Sequence, residues 1–344
     1  IDGNQSGSVV TFDNSETSSA KLVGFTIQNG SANDHGGGIY CNNTSPTLKN
    51  LIITGNTANP GDDGGGMWLL NSNPIITNVK LYNNTAGNGG GIYLSNSDPQ
   101  LTNVNIYNNT SNTGAGMYCR NSDPSLTNVT LSTNTANYSD GGGGIRCWWN
   151  SNPTIVNTIL WNNQPQNIFF SQYDDPNTIS VSYSNIEGGE AGFVTNDNGT
   201  VYWLEGNIDS APLFVDAANG DYHLSDYSPA IGAGTATGAP TTDIDGNIRP
   251  NPSGSTPDMG AYENALSSQR PKAGTIADGL TTDVDWYNST SSLSANWDAF
   301  TDNAALTYEY AVGTSTSALA DVVDWTSNSS DTSVTKTGLT LTEG

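Results

Sequence analysis

"GDDGGGMWLLNSNPIITNVKLYNN", residues 61–84, sets a glycine run, a short apolar strand, a proline and paired asparagines in an order that returns four more times along the chain. The apolar residue after each run falls at Ile39, Met67, Ile92, Met117 and Ile145, in steps of 28, 25, 25 and 28 residues. The turn proline keeps step at Pro46, Pro74, Pro99, Pro124 and Pro153. Two asparagine series follow it, Asn50, Asn78, Asn103, Asn128, Asn157 and Asn56, Asn84, Asn109, Asn134, Asn163. Helical solenoid repeats are longer, about 33–47 residues, and favour Ala, Leu and Glu over the Gly, Asn, Thr and Ser found here.

Within one unit, "GIYC", "PTLKN" and "LIIT" are short alternating pieces separated by turn residues, the signature of strands. Each unit therefore reads as one coil of about three strands and about 25 residues. Stacked coils pair equivalent strands in parallel about 4.8 Å apart, so equivalent side chains form ladders along the stack. Alternation places Ile39, Met67, Ile92, Met117 and Ile145 in one inner ladder, with Cys41, Leu69, Leu94, Cys119 and Cys147 in its neighbour. The three cysteines are odd in number and match no zinc spacing, so they read as packed free thiols. Cys119 and Cys147, in adjacent coils, are close enough for a disulfide as the alternative, but in-register stacking points both side chains the same way. The asparagines fit coil corners, where each amide bonds the corner backbone and the Asn above. Glycine at the other corner supplies positive φ and close backbone approach.

The motif "GGGIYCNNTSPTLKNLIITGNTA" and its copies resemble the right-handed parallel β-helix repeats of secreted bacterial proteins, especially the GGG-Ile type of polymorphic outer-membrane proteins and adhesins. The resemblance spans about residues 20–190 and implies a secreted or surface location. It covers adhesins, structural proteins and polysaccharide lyases or hydrolases alike. "YHLSDYSPAIGAGTATGAPTTDIDGNIRPNPSGSTPDMGAYE", residues 222–263, is similar to the segment that closes many such helices. Arg249 is the lone base among Asp243, Asp245, Asp258 and Glu263, so a fold-back ion pair covering the edge of the last coil is expected. "DIDGN" also supplies hard oxygens, so calcium is a candidate ligand, although the other ligands of a calcium loop are missing. After a linker at 264–272, residues 273–344 resemble an incomplete fibronectin type III-like module with Trp297, Tyr308 and Tyr310 in its sandwich core. The fold class is thus all-β: a right-handed parallel β-helix over residues 1–263, then a truncated β-sandwich.

The chain has 344 residues, 33 acids against 9 bases and a net charge of −24, which excludes a nucleic-acid partner. So acidic a surface suits salty or calcium-bearing extracellular surroundings. No apolar run reaches the roughly 18–20 residues of a membrane helix. The opening "IDGNQSGSVVTF" lacks an initiator methionine and a signal-peptide layout, which suggests a piece of something longer.

The strongest functional lead is an outward ladder, Tyr40, Trp68, Tyr93, Tyr118 and Arg146, with Arg120 and Trp148 one ladder over. Rings about 4.8 Å apart offer a stacking platform for pyranose rings, and two arginines beside them suit uronate or sulfate groups. The same rings would equally stabilise an exposed strand face by stacking on each other. A second outer series, Tyr82, Tyr107 and Trp161, follows the same logic. Asp34, Asp62, Asp63 and Asp140 precede the glycine runs, where they either bind calcium or solvate a loop. Asp62 or Asp63 with Asp34 or Asp140 are candidate glycosidase pairs. His35 with Asp34 and Tyr40, or Tyr118 with Arg120 and Arg146, are candidate lyase groups. No motif assigns a catalytic residue. The expected function is adhesion or structural extension with polysaccharide contact at the aromatic stripe; the alternatives are a polysaccharide-degrading enzyme and a self-assembling surface protein.

Overall fold

The computed structural model describes residues 1–59, 61–173, 175–270, 276–278, 289, 291–298, 307–312, 320 and 322–340. The chain divides into two units, Ile1–Gln269 and Arg270–Gly344. The first is a parallel β-helix whose coils build an eight-stranded and an eleven-stranded sheet, with two-residue strands such as Thr110–Ser111 and Thr135–Ala136 completing the turn.

The inner ladder forms in the expected register, Ile39↔Met67↔Ile92↔Met117↔Ile145, and runs on to Val10 at one end and to Ile168 and Phe193 at the other. Its neighbour pairs Cys41 with Leu69, Leu94 with Cys119, and Cys119 with Cys147. All three thiols are free and buried. The long strands Thr47–Thr54, Ile75–Tyr82, Gln100–Tyr107 and Ser125–Ser132 face the opposite wall. Each bends at an asparagine in the left-handed region, for example Asn50 at φ 54° and Asn78 at φ 55°. The bend lets Leu48 and Leu51, three residues apart, both point into the core. A fully buried Leu or Ile contributes about 1.5–3 kcal/mol, and one coil alone could not enclose these side chains.

At the opposite corner Gly64 has φ 73°, and a Cβ there would lie 2.5 Å from the Met67 carbonyl oxygen. Only glycine closes that turn. The second asparagine series forms a continuous buried ladder: Asn56 donates to Asn84 Oδ1 at 3.0 Å, Asn84 to Asn109 at 3.0 Å, Asn109 to Asn134 at 2.9 Å and Asn134 to Asn163 at 2.9 Å. A serine ladder, Ser72 to Ser97 to Ser122 to Ser151, closes the third corner and was not anticipated.

The fold-back ion pair forms, Arg249 Nε to Glu263 Oε2 at 2.7 Å and fully buried, but it does not cover the last coil. The segment instead crosses the outer flank of the eleven-stranded sheet. Gly260 N donates to Asn157 O, Ala261 N to Thr130 Oγ1, and Tyr262 Oη accepts from Asn105, so three consecutive residues meet three consecutive coils. The first asparagine series is its rail: Asn103, Asn128 and Asn157 donate to the carbonyls of Thr242, Asp258 and Thr235. Bent asparagines turn their amides outward, where backbone carbonyls of a crossing strand can reach them. Tyr82, Tyr107 and Trp161 lie beneath this segment, packed with Tyr222 and Tyr262 or with Leu224, Ile231 and Met259. The second aromatic face is therefore a docking surface for the chain itself.

In the second unit, strands Ile276–Asp278, Ser292–Trp297 and Ser333–Thr337 form one antiparallel sheet, and Tyr308–Val312 with Val323–Ser329 another. Trp297 and Tyr308 meet edge to face at 5.6 Å, and Trp297, Tyr308 and Tyr310 are each partly exposed. Much of the expected module at 273–344 lies outside the described residues. Among the described residues no helix is long and apolar enough to cross a membrane.

Candidate functional site on the outer face of the eight-stranded sheet

The strands of the eight-stranded sheet hold Tyr40, Trp68, Tyr93, Tyr118 and Arg146 in one outward register, which Phe169 extends. Leu70, Ser95, Arg120 and Trp148 form the adjacent row. The expected residues are thus brought together, but the expected open platform is not. Trp68, Tyr93 and Tyr118 are only 7%, 5% and 4% exposed. Tyr40 and Trp68 stack at 4.7 Å, and Tyr93 and Tyr118 at 5.0 Å. Spacing near 4.8 Å is too small to admit a sugar between coils, so these rings spend their faces on each other. Contact from outside falls to the margins of the row, where Tyr40, Arg120, Arg146 and Trp148 stay partly exposed.

Both arginines are held by aromatic rings. The Arg146 guanidinium lies 5.9 Å from the Tyr118 centroid and 5.0 Å from that of Phe169. It also donates from Nη1 to the Asp140 carbonyl, while its buried Nε has no partner. Arg120 lies 5.4 Å from Trp148 and 4.3 Å from Trp149. Among the described residues neither arginine has a carboxylate within 4.0 Å.

On the glycine-corner side, His35 stacks on Trp68 at 4.8 Å and 7°. Its acidic neighbour is Asp63 of the next coil, 4.0 Å away, rather than the preceding residue Asp34, which is exposed. Adjacent residues at a corner diverge, whereas the following coil returns to within one strand spacing. Asp63 N donates to His35 Nδ1 at 3.2 Å, so the neutral ring carries its proton on Nε2. Asn88 Nδ2 donates to Asp63 Oδ1 at 2.8 Å, and Thr113 donates to Asn88 Oδ1 at 2.5 Å. Asn88 and Thr113 occupy the position of Asp63 in the next two coils, so the 25-residue step could have found them.

Burial pushes the Asp63 carboxyl up despite the Asn88 hydrogen bond. Burial, then the Asp63 charge, push the Tyr93 phenol up to about 12, against the pull of Arg120. Burial also raises Tyr118. Near neutral pH these phenols donate hydrogen bonds and are not tyrosinate bases. Asp140 stays exposed, so of the four corner acids Asp63 is the one drawn into the face. The carboxylate of Asp243 in "DIDGN" is engaged by Asp245 N, Asn247 N, Asn247 Nδ2 and Glu263 N. Among the described residues no three His, Cys, Asp or Glu side chains gather as a metal-binding set.

No curated protein and no solved structure matches this chain. The family described as right handed beta helix region matches residues 1–137 and, overlapping, 71–212. With the observed parallel coils and ladders, this match over more than half of the sequence places the chain in the right handed beta helix family.

Proposed function

We propose that this β-helix belongs to a secreted or surface-held bacterial protein and serves in adhesion or structural extension by holding an acidic polysaccharide against the outer face of its eight-stranded sheet. One observation carries the reading: in a chain with 9 bases and a net charge of −24, two arginines share one face, each clamped by aromatic rings. Strand rise and spacing put the Arg120 and Arg146 backbones about 8 Å apart, a separation that spans neighbouring acidic sugars. Aromatic clamping keeps the guanidinium edges pre-ordered for carboxylate or sulfate.

The test is retention of the purified chain on polyuronates, sulfated glycans and neutral glycans, with and without calcium, read together with reducing ends and the ultraviolet absorbance of an unsaturated uronate. The expected result is salt-sensitive retention on anionic glycans without cleavage, weakened in Arg120→Gln and Arg146→Gln. Equal retention on neutral glycans, or none at all, would refute it. A polysaccharide-degrading activity is the second reading, favoured by Asp63: burial holds its carboxyl above the ordinary carboxylate range, and its position beside His35 and Tyr93 suits a general acid. New reducing ends or a new chromophore, lost in Asp63→Asn, would establish that reading instead.

A further inference from the structure

One corner of the stack breaks its own pattern. After five consecutive strands of the eight-stranded sheet the chain turns on an asparagine in the left-handed region: Asn43, Asn71, Asn96, Asn121 and Asn150, with φ between 48° and 55°. In the first four coils that asparagine directly follows the last strand residue, Asn42, Leu70, Ser95 or Arg120. In the fifth, Trp149 stands between Trp148 and Asn150. Register is kept on both sides of it, with Arg120 paired to Trp148 and Ser122 N donating to Ser151 Oγ at 3.2 Å. The insertion is therefore absorbed by Trp149 alone, which takes φ 52° and remains 42% exposed.

A bulky residue in the left-handed region is strained, and a half-exposed indole gains little from burial there. Four neighbouring corners close without it, so the coil does not need it. Its ring lies 5.3 Å from Trp148 at 40° and 4.3 Å from the Arg120 guanidinium. Stacking on that ring occupies one face of the guanidinium and leaves its in-plane N–H groups, which also reach the Tyr93 phenol, to meet an anion. We infer that Trp149, Trp148 and Arg120 form a subsite for one anionic sugar, whose ring packs on the free surface of Trp149 while its carboxylate or sulfate meets Arg120. This deepens the glycan-contact reading of the face and rests on it.

Calorimetric titration with a galacturonate oligomer, a heparin oligosaccharide and a carboxyl-reduced galacturonate oligomer tests it, on the full chain and on two variants. Trp149→Asn suits the backbone angle, and removal of Trp149 restores the corner length of the other coils. Both variants should bind whichever anionic probe the unaltered chain prefers about tenfold more weakly. Their thermal midpoints should be unchanged or higher, because the strain is gone. Anionic binding within twofold of the unaltered chain in either variant would overturn the subsite while leaving the wider face intact. No anionic binding by the unaltered chain would overturn both. Lower midpoints in both variants would make Trp149 a structural element and likewise overturn the subsite.

Discussion

Replacing Asn109 with alanine tests the idea that buried amides, as much as apolar side chains, hold the coils together. Asn109 is fully buried. Its Oδ1 accepts from both Asn84 N and Asn84 Nδ2 at 3.0 Å, and its Nδ2 donates to Leu81 O at 3.1 Å and to Asn134 Oδ1 at 2.9 Å. In Asn109→Ala the Asn84 side chain still reaches Ile53 O, and Asn134 Oδ1 still accepts from the backbone N–H of residue 109. The Asn84 backbone N–H keeps nothing. An orphaned buried donor costs about 1–3 kcal/mol and each of the three further lost bonds about 1 kcal/mol, for a total of about 4–6 kcal/mol. For a unit of this size that lowers the thermal midpoint by about 10 °C. Asn109→Leu refills the volume but not the bonds, so it should be no better than alanine. Asn59→Ala removes one surface bond, to Asn33, and should change stability by less than about 0.5 kcal/mol. Circular dichroism melts of the four proteins decide the matter. A loss below about 1 kcal/mol in Asn109→Ala, or rescue by leucine, would refute the reasoning.

Burial and the nearby Glu263 carboxylate push Asp258 from 3.8 up to about 8. Between those values the folded chain keeps a proton that the unfolded chain releases, so this contribution is full below pH 3.8 and is lost as pH rises through about 8. Unfolding midpoints measured across that range should fall with rising pH, and the fall should be shallower in Asp258→Asn; equal slopes would remove Asp258 as the cause. Cys119 and Cys147 are paired in register yet free, and burial pushes the Cys41 thiol up to about 12. A thiol reagent should therefore find no reactive cysteine in the native chain and three after denaturation; two missing thiols would reveal a disulfide.

The two asparagine series show where sequence reading stops. Both repeat with the coil, and both were legible as corner residues. Asn56, Asn84, Asn109, Asn134 and Asn163 saturate one another inside the stack. In the other series Asn78, Asn103 and Asn157 also bond the asparagine one coil back, but Asn103, Asn128 and Asn157 in addition grip a segment more than 75 residues further along. Nothing in the letters separates these fates, because the difference is which side of the corner the amide leaves.

What the sequence determined by itself is everything set by translation along the stack: coil length, strand order, the Ile/Met ladder, buried cysteines and the outward row of Tyr40, Trp68, Tyr93 and Tyr118. A parallel in-register stack sends residue i to its equivalent one coil later, so a one-dimensional period is already a three-dimensional contact map. Tertiary structure alone decided whatever crosses that translation. It buried the rings of the row against one another, gave His35 to Asp63 rather than Asp34, laid the return segment along the flank instead of over the end, and turned the inserted Trp149 onto Arg120. These contacts depend on side-chain direction at corners and on chain returning from a distance, and neither leaves a period to read.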